Sequence, residues 1–75
     1  MDAYTVTREH DVTVLTCPRH LVEVTVHGDR ATVAVEDQQE RVVVCTYPVA
    51  EAALYAAAIA RELSAHPGDD FLFIN

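Results

Sequence analysis

Two consecutive segments in the middle of the chain alternate between apolar and mostly polar residues. Leu21–His27 and Ala31–Glu36 each carry valine or alanine at every second position, and Gly28 and Asp29 lie between them. A period of two predicts strands that are buried on one side. The short connection containing glycine predicts a β-hairpin with one dry and one wet face.

Three further segments are predicted as strands. Ala3–Arg8 forms the first, Val12–Cys17 the second and Arg41–Tyr47 the last before a change of pattern. Apolar residues in Val12–Cys17 point both ways, which predicts a central strand, a bulge or a buried interface. The uninterrupted apolar run within Arg41–Tyr47 predicts a strand that is bulged or buried on both faces.

The pattern changes to that of a helix in Tyr47–His66. The segment is rich in alanine, the residue with the highest helix propensity. Pro48 lies just inside the predicted start of the helix, and Thr46 is favoured over Tyr47 as the N-cap. Pro67 with Gly68 ends the helix. At 100° per residue, one predicted buried face comprises Val49, Ala52, Ala53, Ala56, Ile59, Ala60 and Leu63.

The predicted fold is a single α+β domain over residues 1–75. About five mostly antiparallel strands pack on one long helix in the C-terminal half, and a short terminal strand follows. That strand is the apolar segment Phe71–Ile74, which would aggregate if left in water. It is predicted to dock at the edge of the same sheet or in a neighbouring subunit, and the first arrangement is favoured. A second copy would cover sheet surface that one helix cannot, which predicts a homodimer.

The charge excludes some classes of partner. Twelve acidic and five basic residues give a formal net charge of −7, and all five basic residues are arginine. Direct nucleic-acid binding needs a basic patch, so it is not expected, whereas a protein with a basic surface is a suitable partner. No apolar run is long enough to span a bilayer, and the N-terminus has no signal pattern, which predicts a cytoplasmic protein without membrane contact.

The two cysteines allow a zinc hypothesis. Cys17 and His20 have the spacing of half a zinc site, and Cys45 and His66 would complete four ligands. The second half of the motif is missing, because no other Cys or His pair has this spacing. The favoured interpretation is two free, partly buried cysteines, surface histidines and no cofactor. A Cys17–Cys45 disulfide is favoured less still.

An enzymatic interpretation is also available, although a non-enzymatic one is favoured. Cys17 with His20 or His10 would pair a thiol nucleophile with a base, but so short a chain has little room for a pocket. A ligand-binding or enzymatic site at a dimer interface remains an alternative. The remaining carboxylate clusters fall in predicted turns and are expected to be solvated charges; they are Glu36-Asp37, Glu40 and Asp69-Asp70.

About half of the chain resembles a family of small acidic actinomycete proteins that are encoded beside helix-turn-helix regulators and are thought to work with them. The matching segments are Val22–Val24, Val33–Asp37 and the alanine-rich helix from Val49. Gln38 and Gln39 stand where the family has Ser-Lys, and the helix lacks tryptophan. The resemblance implies a regulatory protein that acts by contact.

These observations predict a non-enzymatic protein-interaction or regulatory module that forms a homodimer and binds another protein. Leu54 and Ala58 lie opposite the predicted buried face of the helix, with Arg61 beside them. This stripe and the apolar tail are the predicted interface, so Leu54→Glu is expected to weaken self-association without unfolding the chain. The predicted interface residues are Leu54, Ala58, Arg61, Phe71 and Phe73.

Overall fold

The computed structural model describes residues 4–65, which form five strands followed by one helix. All neighbouring strands are antiparallel, and their order in the sheet is their order in the chain. This confirms the predicted α+β arrangement, while the predicted terminal strand lies outside the described residues. The elements are β1 (Thr5–Glu9), β2 (Val12–Thr16), β3 (His20–His27), β4 (Arg30–Asp37), β5 (Val42–Pro48) and α1 (Val49–Ala65).

Short turns join the strands and set their register. The predicted hairpin is confirmed, because β3 and β4 pair from His27 opposite Arg30 onward, with Gly28 and Asp29 as the loop. Gly28 has a φ of 66°, a left-handed conformation that glycine adopts without steric cost. Asp29 also ties the sheet to the helix, since its carbonyl oxygen accepts a hydrogen bond from the N–H of Val49 at 3.1 Å.

The core lies between the helix and one face of the sheet. Leu15, Val22 and Val35 face each other across β2, β3 and β4, as the register requires. Helix residues at three- and four-residue spacing complete the core, and most are alanine, which lets the helix backbone approach the strands closely. The buried helix residues are Ala52, Ala56, Ala60 and Leu63.

The start of the helix differs from the sequence prediction. Pro48 is the last residue of β5, where it pairs with Arg30, and α1 begins only at Val49. Thr46 is therefore a strand residue and cannot be the N-cap. Val49 is the first helical residue and is 38% exposed, although it was predicted to be buried. Ala53, predicted on the same face, is also exposed.

The prediction for the fifth strand is also wrong. β5 is an edge strand, paired only with β4 among the described strands, and Val42 and Val44 are 52% and 57% exposed. Its apolar run therefore does not indicate burial on both faces within one chain. In β2 and the residue after it, the two-sided pattern has a structural basis: Leu15 and Cys17 are buried on the helix side, while Val12 and Val14 are half-buried on the opposite face.

That opposite face of the sheet, here called the open face, is covered by none of the described residues. The register identifies the residues of the open face, because residues directly opposite each other on neighbouring strands project to the same side. Glutamate and threonine occupy much of it, and apolar side chains are interspersed among them. These apolar residues are Val12, Val14, Leu21, Ala34, Val42 and Val44.

Candidate functional site

Four chemically active residues lie in one row across the end of the sheet near the C-terminal part of α1. Cys17 and His20 flank the Pro18-Arg19 turn, where the N–H of Cys17 donates to the carbonyl oxygen of His20 at 2.9 Å. His20 lies opposite Asp37 in the register, and the N–H of Asp37 donates to the carbonyl oxygen of Arg41 at 3.1 Å. The row therefore places a thiol, an imidazole, a carboxylate and a guanidinium at the neighbouring ends of β2, β3, β4 and β5.

Two of these residues are more buried than the sequence suggested. His20 is only 4% exposed, whereas the favoured interpretation placed the histidines at the surface. Asp37 is 9% exposed, whereas it was expected to be a solvated turn charge. The difference arises because β3 begins at His20 and β4 continues to Asp37, so both side chains lie on the helix side of the sheet.

Asp37 is held by hydrogen bonds from the loop that follows it. Its Oδ1 accepts from the backbone N–H groups of Gln39 and Arg41, each at 2.9 Å, and its Oδ2 accepts from Nε of Arg41 at 2.7 Å. Burial acts to raise the pKa of this carboxyl, but the hydrogen bonds and the charge of Arg41 outweigh it, and the pKa lies below its ordinary 3.8. An ionised carboxylate so fully engaged suits a structural cap better than a proton donor or acceptor.

The Cys17 thiol is likewise engaged with the fold. It is buried, and its Sγ lies 3.6 Å from the carbonyl oxygen of Ala60, to which it donates a hydrogen bond. A nucleophilic thiol would instead be ionised by an adjacent base and exposed to substrate. A cleft of about 390 Å³ opens at this end of the sheet, between the β2–β3 and β4–β5 turns. The cleft borders Cys17 and His20, but the thiol hydrogen is directed to the helix.

The predicted zinc ligands come together only in part. Cys17 and His20 are adjacent, but Cys45 lies in the middle of β5, opposite Val33. Through the register, Cys45 aligns with a residue four positions beyond His20, about 13 Å along the strand direction. His66 lies outside the described residues. Within residues 4–65, no group of three or more His, Cys, Asp or Glu side chains is arranged to hold a metal ion.

The cysteines are not joined to each other. Both are free; Cys17 is buried and Cys45 is exposed. Cys17 directly follows β2 and Cys45 lies on β5, so two strands separate them, a distance no disulfide can bridge. Both were expected to be partly buried, and Cys45 is more exposed than that.

The outer side of α1 carries the predicted interface stripe. Leu54 is 71% exposed, and Ala58 and Arg61 are exposed on the same side. The tail residues Phe71 and Phe73, which belong to the same prediction, lie outside the described residues. The stripe is therefore an apolar patch with a cation at one end, presented by a helix whose other side is firmly packed.

One aromatic pair connects the helix to β5. The rings of Tyr47 and Tyr55 stack with their centroids 4.5 Å apart and their planes 26° from parallel. Burial raises the pKa of the Tyr47 phenol above its ordinary 10.0, and the neighbouring Cys45 and Tyr55 add to this shift. The stack fixes the helix against the sheet edge, and the sequence alone gave no signal for it because the pairing depends on where the helix begins.

No family model matches the chain, and neither the curated proteins nor the solved structures that were compared with it provide a match. In the described part of the chain, no helix is both long and apolar enough to cross a membrane.

Proposed function

We propose that this protein is a non-enzymatic interaction module that acts in the cytoplasm as a homodimer and regulates a second protein by covering part of its surface. One observation carries the proposal: the outer side of α1 presents Leu54, 71% exposed, between small and charged neighbours. A single exposed leucine is unremarkable, but a leucine and alanine stripe on a rigid helix is suited to contact another helix.

The chemistry of the polar row supports a role without catalysis. The Cys17 thiol donates to Ala60, and the Asp37 carboxylate is saturated by the loop that ends at Arg41. A catalytic pair needs a nucleophile and a base directed at each other and at a substrate. In this arrangement the polar groups stabilise the end of the sheet.

The charge indicates the chemistry of the partner. A chain with a net charge of −7 repels acidic proteins and nucleic acid and attracts a basic surface. Arg61 at the end of the stripe would pair with an acidic side chain of the partner and fix the orientation of the complex. The resemblance to the small acidic proteins makes a helix-turn-helix regulator the first partner to test.

The test is affinity capture from cells, comparing the wild-type chain with two variants. Leu54→Glu places a charge in the stripe, and Gln38→Glu adds the same charge in the exposed β4–β5 loop. The proposal expects one defined protein to be captured by the wild type and by Gln38→Glu and to be lost with Leu54→Glu. Equal capture by all three proteins would show that the stripe does not contact the partner. A turnover activity dependent on Cys17 would overturn the proposal.

A further inference from the structure

The outer edge of β5 has backbone groups that point away from the sheet. The N–H of Asp37 bonds Arg41 just before β5, and the N–H of Val49 bonds Asp29 just after it. Ladder bonds in antiparallel pairs repeat every second residue, so these two bonds fix the phase along the whole strand. The odd-numbered residues bond to β4. The N–H and C=O groups that point outward therefore belong to Val42, Val44 and Thr46.

This edge lacks the features that usually prevent strands from pairing between molecules. Natural edge strands carry charged side chains, interior prolines or bulges, or they are short. β5 has seven residues, none of them charged, and its only proline is the last residue. The opposite edge strand, β1, has five residues and includes Arg8 and Glu9. Of the two edges of the described sheet, β5 is therefore the one suited to receive another strand.

Apolar side chains accompany the outward backbone groups on both sides of this edge. Val42 and Val44 are more than half exposed on the open face, and Cys45 is exposed on the helix side. A strand added to β5 would cover these side chains while it satisfied the backbone groups. Backbone bonds and apolar contacts therefore favour the same arrangement.

We propose that the strand added to β5 is β5 of a second copy of this chain, antiparallel to the first, so that two sheets join into one of ten strands. The inference rests on the homodimer of the proposed function and names its interface. Two chains that each carry a charge of −7 can approach closely only where charge is absent, and β5 provides such a surface. A two-fold axis between the two copies places each β5 against an identical β5, so that the same residues form both halves of the interface.

The positions of the outward groups select one register. With the axis at Val44, Val44 pairs with itself and Val42 pairs with Thr46, so all three outward residues exchange both hydrogen bonds. Pro48, which has no N–H, is then left out of the new ladder. Cys45 lies opposite Val43 of the second copy, and the two Cys45 Cα atoms are about 8 Å apart, too far for a disulfide.

Amide hydrogen exchange on the full-length chain tests this arrangement at single residues. The N–H groups of Val44 and Thr46 point away from β4, so only an added strand protects them. We expect slow exchange at both residues in the dimer and faster exchange on dilution. A dimer in which both exchange at unprotected rates would overturn the edge pairing and leave the proposed function standing. Protection in a monomer would overturn it as well, since a segment of the same chain would then occupy the edge.

A proline variant tests the same contact without disturbing the fold. Val44→Pro removes only an outward N–H, so pairing with β4 is kept, and circular dichroism should confirm the folded state. The mass in sedimentation should fall from twice 8.3 kDa to 8.3 kDa. Leu54→Glu and Val14→Lys, on the helix stripe and the open face, should remain dimeric; for Leu54→Glu this replaces the expectation from the sequence that the helix stripe forms the dimer contact. A folded Val44→Pro dimer, or loss of the dimer only in Leu54→Glu, would overturn the inference.

Cross-linking tests the register. Val43→Cys places its thiol opposite Cys45 of the second copy in a non-hydrogen-bonded pair, where Cα atoms are about 4.5 Å apart and a disulfide can form. Oxidation of this variant by copper phenanthroline and dioxygen should yield a covalent dimer, and the wild type should not. Rapid cross-linking of the wild type through Cys45 would overturn the register centred on Val44.

Discussion

The Arg41 guanidinium closes the β4–β5 loop on the Asp37 carboxylate: Nη2 and Nε lie 2.6 Å and 2.7 Å from Oδ2. The backbone N–H of Arg41 binds the other carboxylate oxygen, so one residue engages both. Two bonds to one ionised side chain are stronger than an ordinary exposed salt bridge. The ion pair therefore holds Arg41 beside Asp37, where the backbone bond from the N–H of Asp37 to the carbonyl oxygen of Arg41 begins the β4–β5 ladder.

The first prediction concerns acid stability. Because the pKa of Asp37 is below 3.8 in the folded chain, its contribution to stability is present above that pH and is lost as the pH falls through the folded pKa. Asp37→Asn should lower the free energy of unfolding at neutral pH, and the difference from wild type should shrink in acid. Urea unfolding at a series of pH values measures this.

The matched control for Asp37→Asn is Glu36→Gln, which neutralises the preceding residue. Glu36 is exposed on the open face, so its neutralisation should leave the pH profile close to that of the wild type. A difference between Asp37→Asn and wild type that stays constant down to the lowest pH would contradict the role assigned to the carboxylate.

The second prediction concerns the helix core. Leu63 is 1% exposed, so Leu63→Ala should leave a cavity and lower the free energy of unfolding by about 2–5 kcal/mol. Leu54→Ala makes the same chemical change at an exposed position of the same helix and should cost less than about 0.5 kcal/mol. Denaturant unfolding of both variants checks the pair. Equal losses would mean that the helix packs on the sheet through a different face.

How much of this arrangement the sequence predicts depends on the range of each interaction. The alternation around Gly28 and the alanine-rich segment predicted the hairpin and the helix, because both patterns are local. The edge position of β5 was missed, because a run of valines is the same sequence pattern in a strand buried inside one chain and in an edge strand that pairs with another chain. The cap at Asp37 was missed as well, because it depends on the loop geometry that brings Arg41 back to the carboxylate.

The third prediction distinguishes the thiols. Cys45 is exposed in the single chain and Cys17 is buried against Ala60. A thiol reagent should therefore modify Cys45 quickly at dilutions where the dimer dissociates, and Cys17 only after unfolding. The variants Cys17→Ser and Cys45→Ser show which thiol reacts in the fast phase of modification and which in the slow phase. Two thiols that both stay blocked until a chelator is added would support the zinc hypothesis in place of this account.

Sedimentation of the purified chain over a range of concentrations tests most directly whether the protein works as a homodimeric interaction module. We expect a species of twice 8.3 kDa that dissociates on dilution and is weakened by Val44→Pro. A species of 8.3 kDa at every concentration, with no second protein bound by it, would show that the protein is not a homodimeric interaction module.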